Sequence, residues 1–220
     1  ISEAYNMLIE GVPAAMIENA AKFAGMPVGP LALNDEIALD LSLKIFNATV
    51  ADLGENAVDP EQFKLVKKLV EQEGRHGRKN GKGFYEYPAK PAKKHLWPEL
   101  KEMYPQQNAD SIDFNELKDR FWVLQALEAA KTIEEGVVTD VREADVGSIL
   151  GYGFSPQTGG TISYIDAMGT QAFVALCNKL AKKYGKRFRP TKLLKQMAIN
   201  DEKFYGRFNP YADPAGDEAA

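Results

Sequence analysis

The sequence predicts an all-α protein built from two tandem, duplicated helical domains. Three observations favour this fold class. Apolar residues recur at helical spacing along most of the chain, capping residues mark the ends of the apolar segments, and one ordered series of residues occurs twice. Only residues 84–87 alternate like a short strand. With 45% hydrophobic residues and a net charge of -4 over 220 residues, the composition is that of an ordinary globular protein.

The first block contains four predicted helices, over residues 2–10, 14–24, 31–53 and 60–73. Gly11 and Gly25 end the first two helices, because glycine is the usual residue just beyond a helix C-terminus. Asp59 is placed as the N-cap of the fourth helix. The third is predicted as one long helix with an apolar residue at every fourth position: Leu33, Ile37, Leu41 and Ile45. Its uniform hydrophobicity predicts burial on several sides, including burial against another subunit.

The second block follows a proline-rich stretch, residues 88–112, that we interpret as a linker. Its predicted helices cover residues 114–135, 140–150, 170–184 and 191–200, with Asp140 as an N-cap. Residues 207–220 are rich in proline, alanine and aspartate and are predicted to be a loose tail.

The two blocks resemble copies of each other. The series Glu3-Ala4, Leu8 and Glu10-Gly11-Val12 recurs as Glu128-Ala129, Ile133 and Glu135-Gly136-Val137 at an offset of 125 residues. At the same offset Glu18 pairs with Glu143. After an insertion, Gly29 pairs with Gly160 and Asp35 with Asp166, at an offset of 131. Duplication explains an ordered series of this kind better than chance does.

Composition excludes several classes of protein. There is no apolar run long enough to span a membrane and no pair of cysteines for an internal disulfide. No secretory signal is expected, because the first residues lack a basic stretch followed by an apolar run. We interpret Cys177, in an apolar helical stretch, as a buried structural thiol. No cluster of histidine and cysteine predicts a metal site. The chain as a whole is acidic, which disfavours a dedicated nucleic-acid binder, although residues 63–94 alone carry a net charge of +7.

Two glycine-rich segments do not meet the requirements of nucleotide sites. In residues 77–83 only three residues separate Gly77 from Gly81-Lys82, and glycine takes the place of the hydroxyl residue of a phosphate loop. Gly151-Tyr152-Gly153 follows a predicted helix rather than a strand, so it does not begin a dinucleotide fold. The sequence therefore offers neither site.

The residues together resemble a known family. The segment GRKNGKGFYEY, residues 77–87, resembles the motif that ends the first C-terminal domain of L-3-hydroxyacyl-CoA dehydrogenases. Residues 3–11 and the loop that contains Gly29-Pro30 are similar to the opening of that domain. Residues 151–166 resemble its second copy in the multifunctional fatty-acid oxidation enzymes, such as the trifunctional enzyme alpha subunit. There Thr161 departs from the usual Gly-Gly-Pro.

This resemblance implies a fold of the 6-phosphogluconate-dehydrogenase C-terminal-like type, with a first domain over residues 1–87 and a second over 113–206. It implies a parent that oxidises 3-hydroxyacyl-CoA with NAD in cytoplasmic fatty-acid β-oxidation. Its Rossmann and hydratase domains would lie outside this chain, which alone is expected to bind no cofactor, contain no catalytic residue and be inactive. Acyl-CoA, a second copy of the chain and a thiolase subunit are the expected partners.

The resemblance also suggests which residues shape the substrate cleft or the interdomain surface. Gly29, Pro30 and Asp35 would shape a loop at that surface, and Lys79, Asn80 and Lys82 would face CoA phosphates or the nucleotide domain. A plain surface turn is the alternative for those three. Phe84 and Tyr85 are candidates for acyl contact, with core packing as the alternative. From a different class, the whole chain could be a stand-alone helical interaction module without a ligand.

Overall fold

A computed structural model describes residues 1–208, so the predicted tail over 207–220 lies almost entirely outside the described residues. The described chain is all-α, as predicted. It divides into two compact units, one formed by Ile1–Phe23 with Pro27–Lys118, the other by Ala24–Met26 with the residues from Asp119 onward. None of the described helices is long and apolar enough to cross a membrane.

The first unit is a helical cluster completed by one small hairpin. Its helices are α1 (Ser2–Ile9), α2 (Ala14–Phe23), α3 (Pro30–Ile37), α4 (Leu39–Leu53) and α5 (Pro60–Lys67), and α5 continues as a π-helix over Lys68–Gln72. Strands β1 (Tyr85–Glu86) and β2 (His95–Leu96) pair antiparallel. The core contains Met7, Leu8, Ile17, Leu31, Leu39, Leu65, Leu69 and Phe84, each at most 1% exposed.

The second unit repeats this order of helices. It contains α6 (Phe114–Glu134, which begins in the first unit), α7 (Val141–Tyr152), α8 (Thr161–Met168), α9 (Thr170–Tyr184), α10 (Lys192–Ile199) and the single turn α11 (Phe204–Arg207). Its core lies among α6, α8, α9 and α10 and includes Phe173, Phe188 and the fully buried Cys177. The structural role predicted for that thiol is confirmed by its burial, which also raises its pKa to about 12.

Helix ends in the two units are built alike. After α1 the N–H of Val12 donates to the carbonyl of Met7, and after α6 the N–H of Val137 donates to Thr132, both at 2.9 Å. Gly11 and Gly136 supply the left-handed residue that this turn requires, with φ of 86° and 70°. Asp59 and Asp140 accept bonds from the backbone of α5 and α7, as predicted for N-caps.

The predicted long helix over residues 31–53 is wrong, because Ala38 interrupts it with φ of 91°. The next amide, Leu39 N–H, donates to the carbonyl of His76 instead of continuing the helical ladder. The sequence also predicts that the apolar residues of this stretch are buried, and for the isolated chain this prediction is wrong. Leu33, Ile37, Leu41 and Ile45, which we call the apolar stripe, are between 38% and 57% exposed.

Further elements that the sequence did not predict are α8, α11, β2 and several 3-10 turns. Helix α8 begins directly after Gly160 and was not predicted. Residues 88–112 contain β2 and two 3-10 turns, at Pro98–Glu102 and Ala109–Ser111. They pack on the first unit, since Leu100 is 2% exposed and Gln107 N–H donates to the carbonyl of Gly11.

Candidate functional site

A buried carboxylate, Asp35, holds the glycine-rich segment against α3. The side chain is 1% exposed and accepts the backbone N–H groups of Phe84 at 2.8 Å and Tyr85 at 2.9 Å. The hydroxyl of Tyr87 donates to the same carboxylate at 3.0 Å. Gly83 lies so close to Asp35 that a Cβ there would overlap its carboxylate. The motif that ends at Tyr87 is therefore fixed to the helix that carries the apolar stripe.

A second buried carboxylate, Glu18, joins three elements. Its Oε1 accepts the N–H of Leu31 at 2.7 Å, which satisfies one of the free amides in the first turn of α3. Its Oε2 accepts the hydroxyl of Tyr85, also at 2.7 Å. Gly29 lies directly over this carboxylate, where a Cβ would overlap it, and Pro30 begins the helix. We call Glu18, Gly29-Pro30, Asp35 and Phe84-Tyr85 the first clasp.

The second unit contains the same arrangement, the second clasp. Asp166 accepts the backbone N–H groups of Phe204 and Tyr205 at 2.8 and 2.9 Å. Asp145 accepts the N–H of Ile162 at 2.7 Å and the hydroxyl of Tyr205 at 2.8 Å. Every bond of this list has a counterpart of the same kind in the first clasp.

The second clasp corrects one pairing inferred from the sequence. Glu18 corresponds to Asp145, not to Glu143, which is exposed. Asp145 also accepts the Ser163 hydroxyl at 2.6 Å, whereas Ala32 stands at the corresponding position of the first unit. The pairings of Gly29 with Gly160 and Asp35 with Asp166 agree with the geometry, since each of these residues occupies the same place in its clasp.

The basic turn between Gly77 and Gly83 brings together fewer candidate residues than the sequence suggested. Lys79 forms an ion pair with Asp40 on α4. Asn80 holds the turn itself, accepting the N–H groups of His76 at 3.2 Å and Lys82 at 3.3 Å and donating to Gly74 at 2.8 Å. The Lys82 side chain is exposed. The surface-turn alternative therefore describes Asn80 well.

Phe84 and Tyr85 differ in their surroundings. Phe84 is completely buried and its ring lies 6.0 Å from that of Tyr5, as expected for core packing. Tyr85 is only partly buried, and its ring lies beneath the Lys94 ammonium at 5.1 Å. Its hydroxyl donates to Glu18, and burial raises the pKa of Tyr85. Tyr85 therefore remains a neutral hydrogen-bond donor.

Arg75 was not among the predicted site residues, and its buried side chain stabilises the basic turn. This guanidinium is in a residue only 4% exposed, and it donates to the carbonyl of Gly83 at 2.6 Å and to Glu86 at 2.7 Å. Its central carbon lies 4.2 Å from the centre of the Trp97 ring. In the sequence Arg75 is one of ten bases in a basic stretch, and no local pattern separates it from the exposed ones.

The clasps hold the fold together and offer no base that is ready to react. Their carboxylates already accept several hydrogen bonds, and burial raises the pKa of Tyr85 so that it stays protonated. Burial raises the pKa of Asp35 and of Asp166, although the backbone bonds to each favour the charged form. Within residues 1–208, no group of three histidine, cysteine or acidic side chains is placed to hold a metal ion.

The clasp aspartates should titrate at higher pH than two surface aspartates. Burial raises the pKa of Asp35 and Asp166, whereas hydrogen bonds from Lys79 and Arg142 lower those of Asp40 and Asp140. A raised carboxyl pKa means that the folded state binds the proton more tightly, so Asp35 and Asp166 favour folding as the pH falls towards their unfolded pKa. Asp40 and Asp140 lose their contribution at lower pH, as the pH falls from their unfolded pKa to their lowered folded pKa. Carboxyl carbon shifts followed by NMR would measure both pairs, and equal midpoints would contradict this order.

The chain is similar to known proteins in sequence and in fold. The family described as 3-hydroxyacyl-CoA dehydrogenase, C-terminal domain, matches residues 1–87. A 3-hydroxybutyryl-CoA dehydrogenase from Escherichia coli shares the fold with a TM-score of 0.63 at 20% identity, over 91% of this chain and 57% of that one. The dehydrogenase part of multifunctional enzyme 1 from C. elegans gives 0.59 at 16% identity, over 89% and 45%. The chain thus spans about half the length of each.

Proposed function

We propose that this chain, whose residues 1–87 belong to the 3-hydroxyacyl-CoA dehydrogenase C-terminal domain family, is the substrate-cleft and oligomerisation part of a parent dehydrogenase. The parent would be an oxidoreductase that converts L-3-hydroxyacyl-CoA to 3-ketoacyl-CoA with NAD, in cytoplasmic fatty-acid β-oxidation. It would be multifunctional, with hydratase and Rossmann domains beyond this chain. This chain alone would be inactive.

The apolar stripe carries the proposal. Four large apolar side chains on α3 and α4 are left 38–57% exposed in this chain, as they would be if another surface covers them in the parent. The first clasp fixes the start of α3 through Glu18 and its later turns through Asp35. A rigidly held apolar surface of this kind suits one wall of a cleft for an acyl chain or the contact with a neighbouring domain.

NAD does not fit the described residues. A dinucleotide needs a glycine-rich turn between a parallel strand and a helix. Here Gly151 lies inside α7 and Gly153 ends it, and the only sheet described in residues 1–208 is an antiparallel pair of two-residue strands. The hydride acceptor would therefore be held by the Rossmann domain of the parent, and no step of the reaction is assigned to residues of this chain.

The contacts of the individual candidate residues support the proposal to different degrees. Gly29, Pro30 and Asp35 belong to the first clasp and would keep the stripe in place. Lys79 and Lys82 lie on the exposed side of the basic turn, where they would face CoA phosphates or the nucleotide domain. Asn80 would act only by holding that turn. A second copy of the chain and a thiolase subunit are the further partners we propose.

The test uses the protein encoded by the whole reading frame that contains this segment. We expect it to oxidise NADH with acetoacetyl-CoA, measured by NADH absorbance, and the 220-residue chain to show no turnover. In the whole protein, Ile37→Ser with Leu41→Ser should lower kcat/KM about 100-fold, because each loses an apolar contact. Val137→Ser, at a 71% exposed site of the second unit, is the matched control.

Two results would overturn the proposal. One is a whole protein that shows no dehydrogenase activity, which would leave the stand-alone interaction module as the better description. The other is full activity in the stripe variant, with an unchanged oligomeric state by sedimentation, which would remove the stripe from both the cleft and the interfaces.

A further inference from the structure

The second unit carries a stretch in which all the charges are positive. Between Lys179 and Lys195 the sequence contains eight lysines and arginines and no aspartate or glutamate, while the other 203 residues contain 19 bases and 31 acids. Its length and sign point to an anionic partner.

The positively charged segment lies at the surface of the second unit. The segment covers the end of α9, a 3-10 turn over Lys186–Phe188 and the start of α10. Phe188 and Leu194 are fully buried and anchor it to the core of the second unit. Seven cations of the segment are exposed, and we call five of them the basic face: Lys182, Lys186, Arg189, Lys192 and Lys195.

Helix α10 adds an exposed apolar residue to the basic face. Leu194 and Met197 point into the core and are completely buried. At the helical angle of 100° per residue, Lys192, Lys195 and Ile199 lie on the opposite side of the helix. Ile199 is 82% exposed, more than any other large apolar side chain among the described residues. Lysines beside an exposed isoleucine are typical of helices that lie on membrane surfaces.

We propose that the basic face docks on an anionic phospholipid surface, with Ile199 entering the headgroup region. Clusters of four to eight lysines and arginines on an amphipathic helix bind acidic lipids, each cation adding a similar increment of affinity. The acidic remainder of the chain does not cancel this attraction, because salt screens charges beyond about 8 Å at physiological ionic strength. The docked residues all belong to the second unit.

A lipid surface explains the basic face better than a nucleic acid does. Phosphate contacts to nucleic acid need cations alone, or cations with exposed aromatic rings on which bases stack. Of the two aromatic side chains in the segment, Phe188 is fully buried and Tyr184 is half-buried with the Arg120 guanidinium 3.9 Å from its ring centre, whereas the exposed apolar side chain is aliphatic. An exposed isoleucine gains nothing from a phosphodiester backbone but gains burial among acyl chains.

The test is sedimentation of the 220-residue chain with vesicles. We expect binding to mixed phosphatidylserine–phosphatidylcholine vesicles, no binding to pure phosphatidylcholine vesicles, and weakening with added salt. Replacing Lys182, Lys192 and Lys195 by glutamine should reduce the affinity about 100-fold, from the usual contribution of each cation at an anionic surface. Ile199→Ser, which leaves the charge unchanged, should reduce it about tenfold.

The control variant replaces Lys90, Lys93 and Lys101 by glutamine, which changes the net charge by the same amount at exposed sites of the first unit. It should bind vesicles like the parent chain. Equal loss in both triple variants would overturn the proposal, because net charge rather than the basic face would then govern binding. It would also be overturned if an RNA or DNA duplex bound more tightly than the vesicles and Ile199→Ser bound both unchanged. Far-ultraviolet circular dichroism verifies that each variant is folded.

Discussion

Asp35→Ala is expected to lower the free energy of unfolding of the first unit by about 4 kcal/mol. The substitution removes the acceptor of two backbone amides and one tyrosine hydroxyl in a position that is 1% exposed. Each buried donor left without a partner costs about 1–3 kcal/mol, and the vacated volume adds to the loss. Removing the carboxylate also releases the segment of Tyr85 from α3.

Two tryptophans allow each unit to be measured separately. Trp97 belongs to the first unit and Trp122 to the second. In a Trp122→Phe background, urea unfolding followed by fluorescence would report on the first unit through Trp97. Asp52→Ala, at an exposed position near the end of α4, is the control and should change the stability by less than about 0.5 kcal/mol. A loss below about 1 kcal/mol for Asp35→Ala would show that the first clasp adds little.

Several helices could be predicted from the sequence because a capping residue marks one of their ends. Gly11, Gly25 and Gly136 end their helices in left-handed conformations, and Asp59 and Asp140 cap theirs. These interactions are local, so residue type and spacing suffice to reveal them. The ordered repeat likewise placed Gly160 and Asp166 correctly beside Gly29 and Asp35, because their order survives in both copies.

The break at Ala38 could not be predicted, because the residue there gives no sign of it. Its φ of 91° is one that glycine adopts freely and alanine rarely does. The second copy carries Gly169 at the corresponding place, between α8 and α9, with φ of 87°. A comparison of the two blocks at this offset would have revealed the break. A conformation enforced by tertiary contact, here the bond from Leu39 to His76, leaves no mark on the local sequence.

The clasps show a second reason why the site was only partly predicted. Glu18 and Asp145 accept equivalent hydrogen bonds, although their side chains differ by one methylene. The number of residues that separates each carboxylate from its paired glycine also differs. Matching by residue type therefore selected Glu143 instead. Arg75 was missed for a similar reason, since its partners are mainly backbone carbonyls, which any sequence could provide. Roles that depend on backbone partners are visible only in three dimensions.

The duplicated clasp also explains which features of the family motif are structural. In each unit a carboxylate accepts an amide from the first turn of α3 or α8, and a glycine packs against that carboxylate. In each unit an aspartate also accepts two successive backbone amides. The basic turn, by contrast, precedes only the first clasp, since Lys203 and its neighbours replace the glycine-rich segment in the second. The shared part builds the fold, so any function specific to the first unit must reside in what the copies do not share.

Gly160→Ala is expected to destabilise the second unit by about 4 kcal/mol. Gly160 has φ of 120° with ψ of -179°, a conformation that is essentially restricted to glycine and costs other residues about 1–3 kcal/mol. A Cβ at this position would lie 2.5 Å from the Cβ and 2.6 Å from the Cα of Asp145. Because backbone is involved, the overlap can be relieved only by moving α7 away from α8, which would break the bond from Ile162 N–H to Asp145.

Gly147→Ala is the matched control, with an expected effect of opposite sign. Gly147 lies within α7, two residues from Asp145, and a Cβ there would meet nothing within 4 Å. Alanine in a helix interior is favoured over glycine by about 0.5–1 kcal/mol, so this variant should gain that amount. Urea unfolding followed through Trp122 in a Trp97→Phe background measures both. If both variants shifted the urea midpoint in the same direction, the overlap of a Cβ at Gly160 with Asp145 would not be what destabilises the second unit.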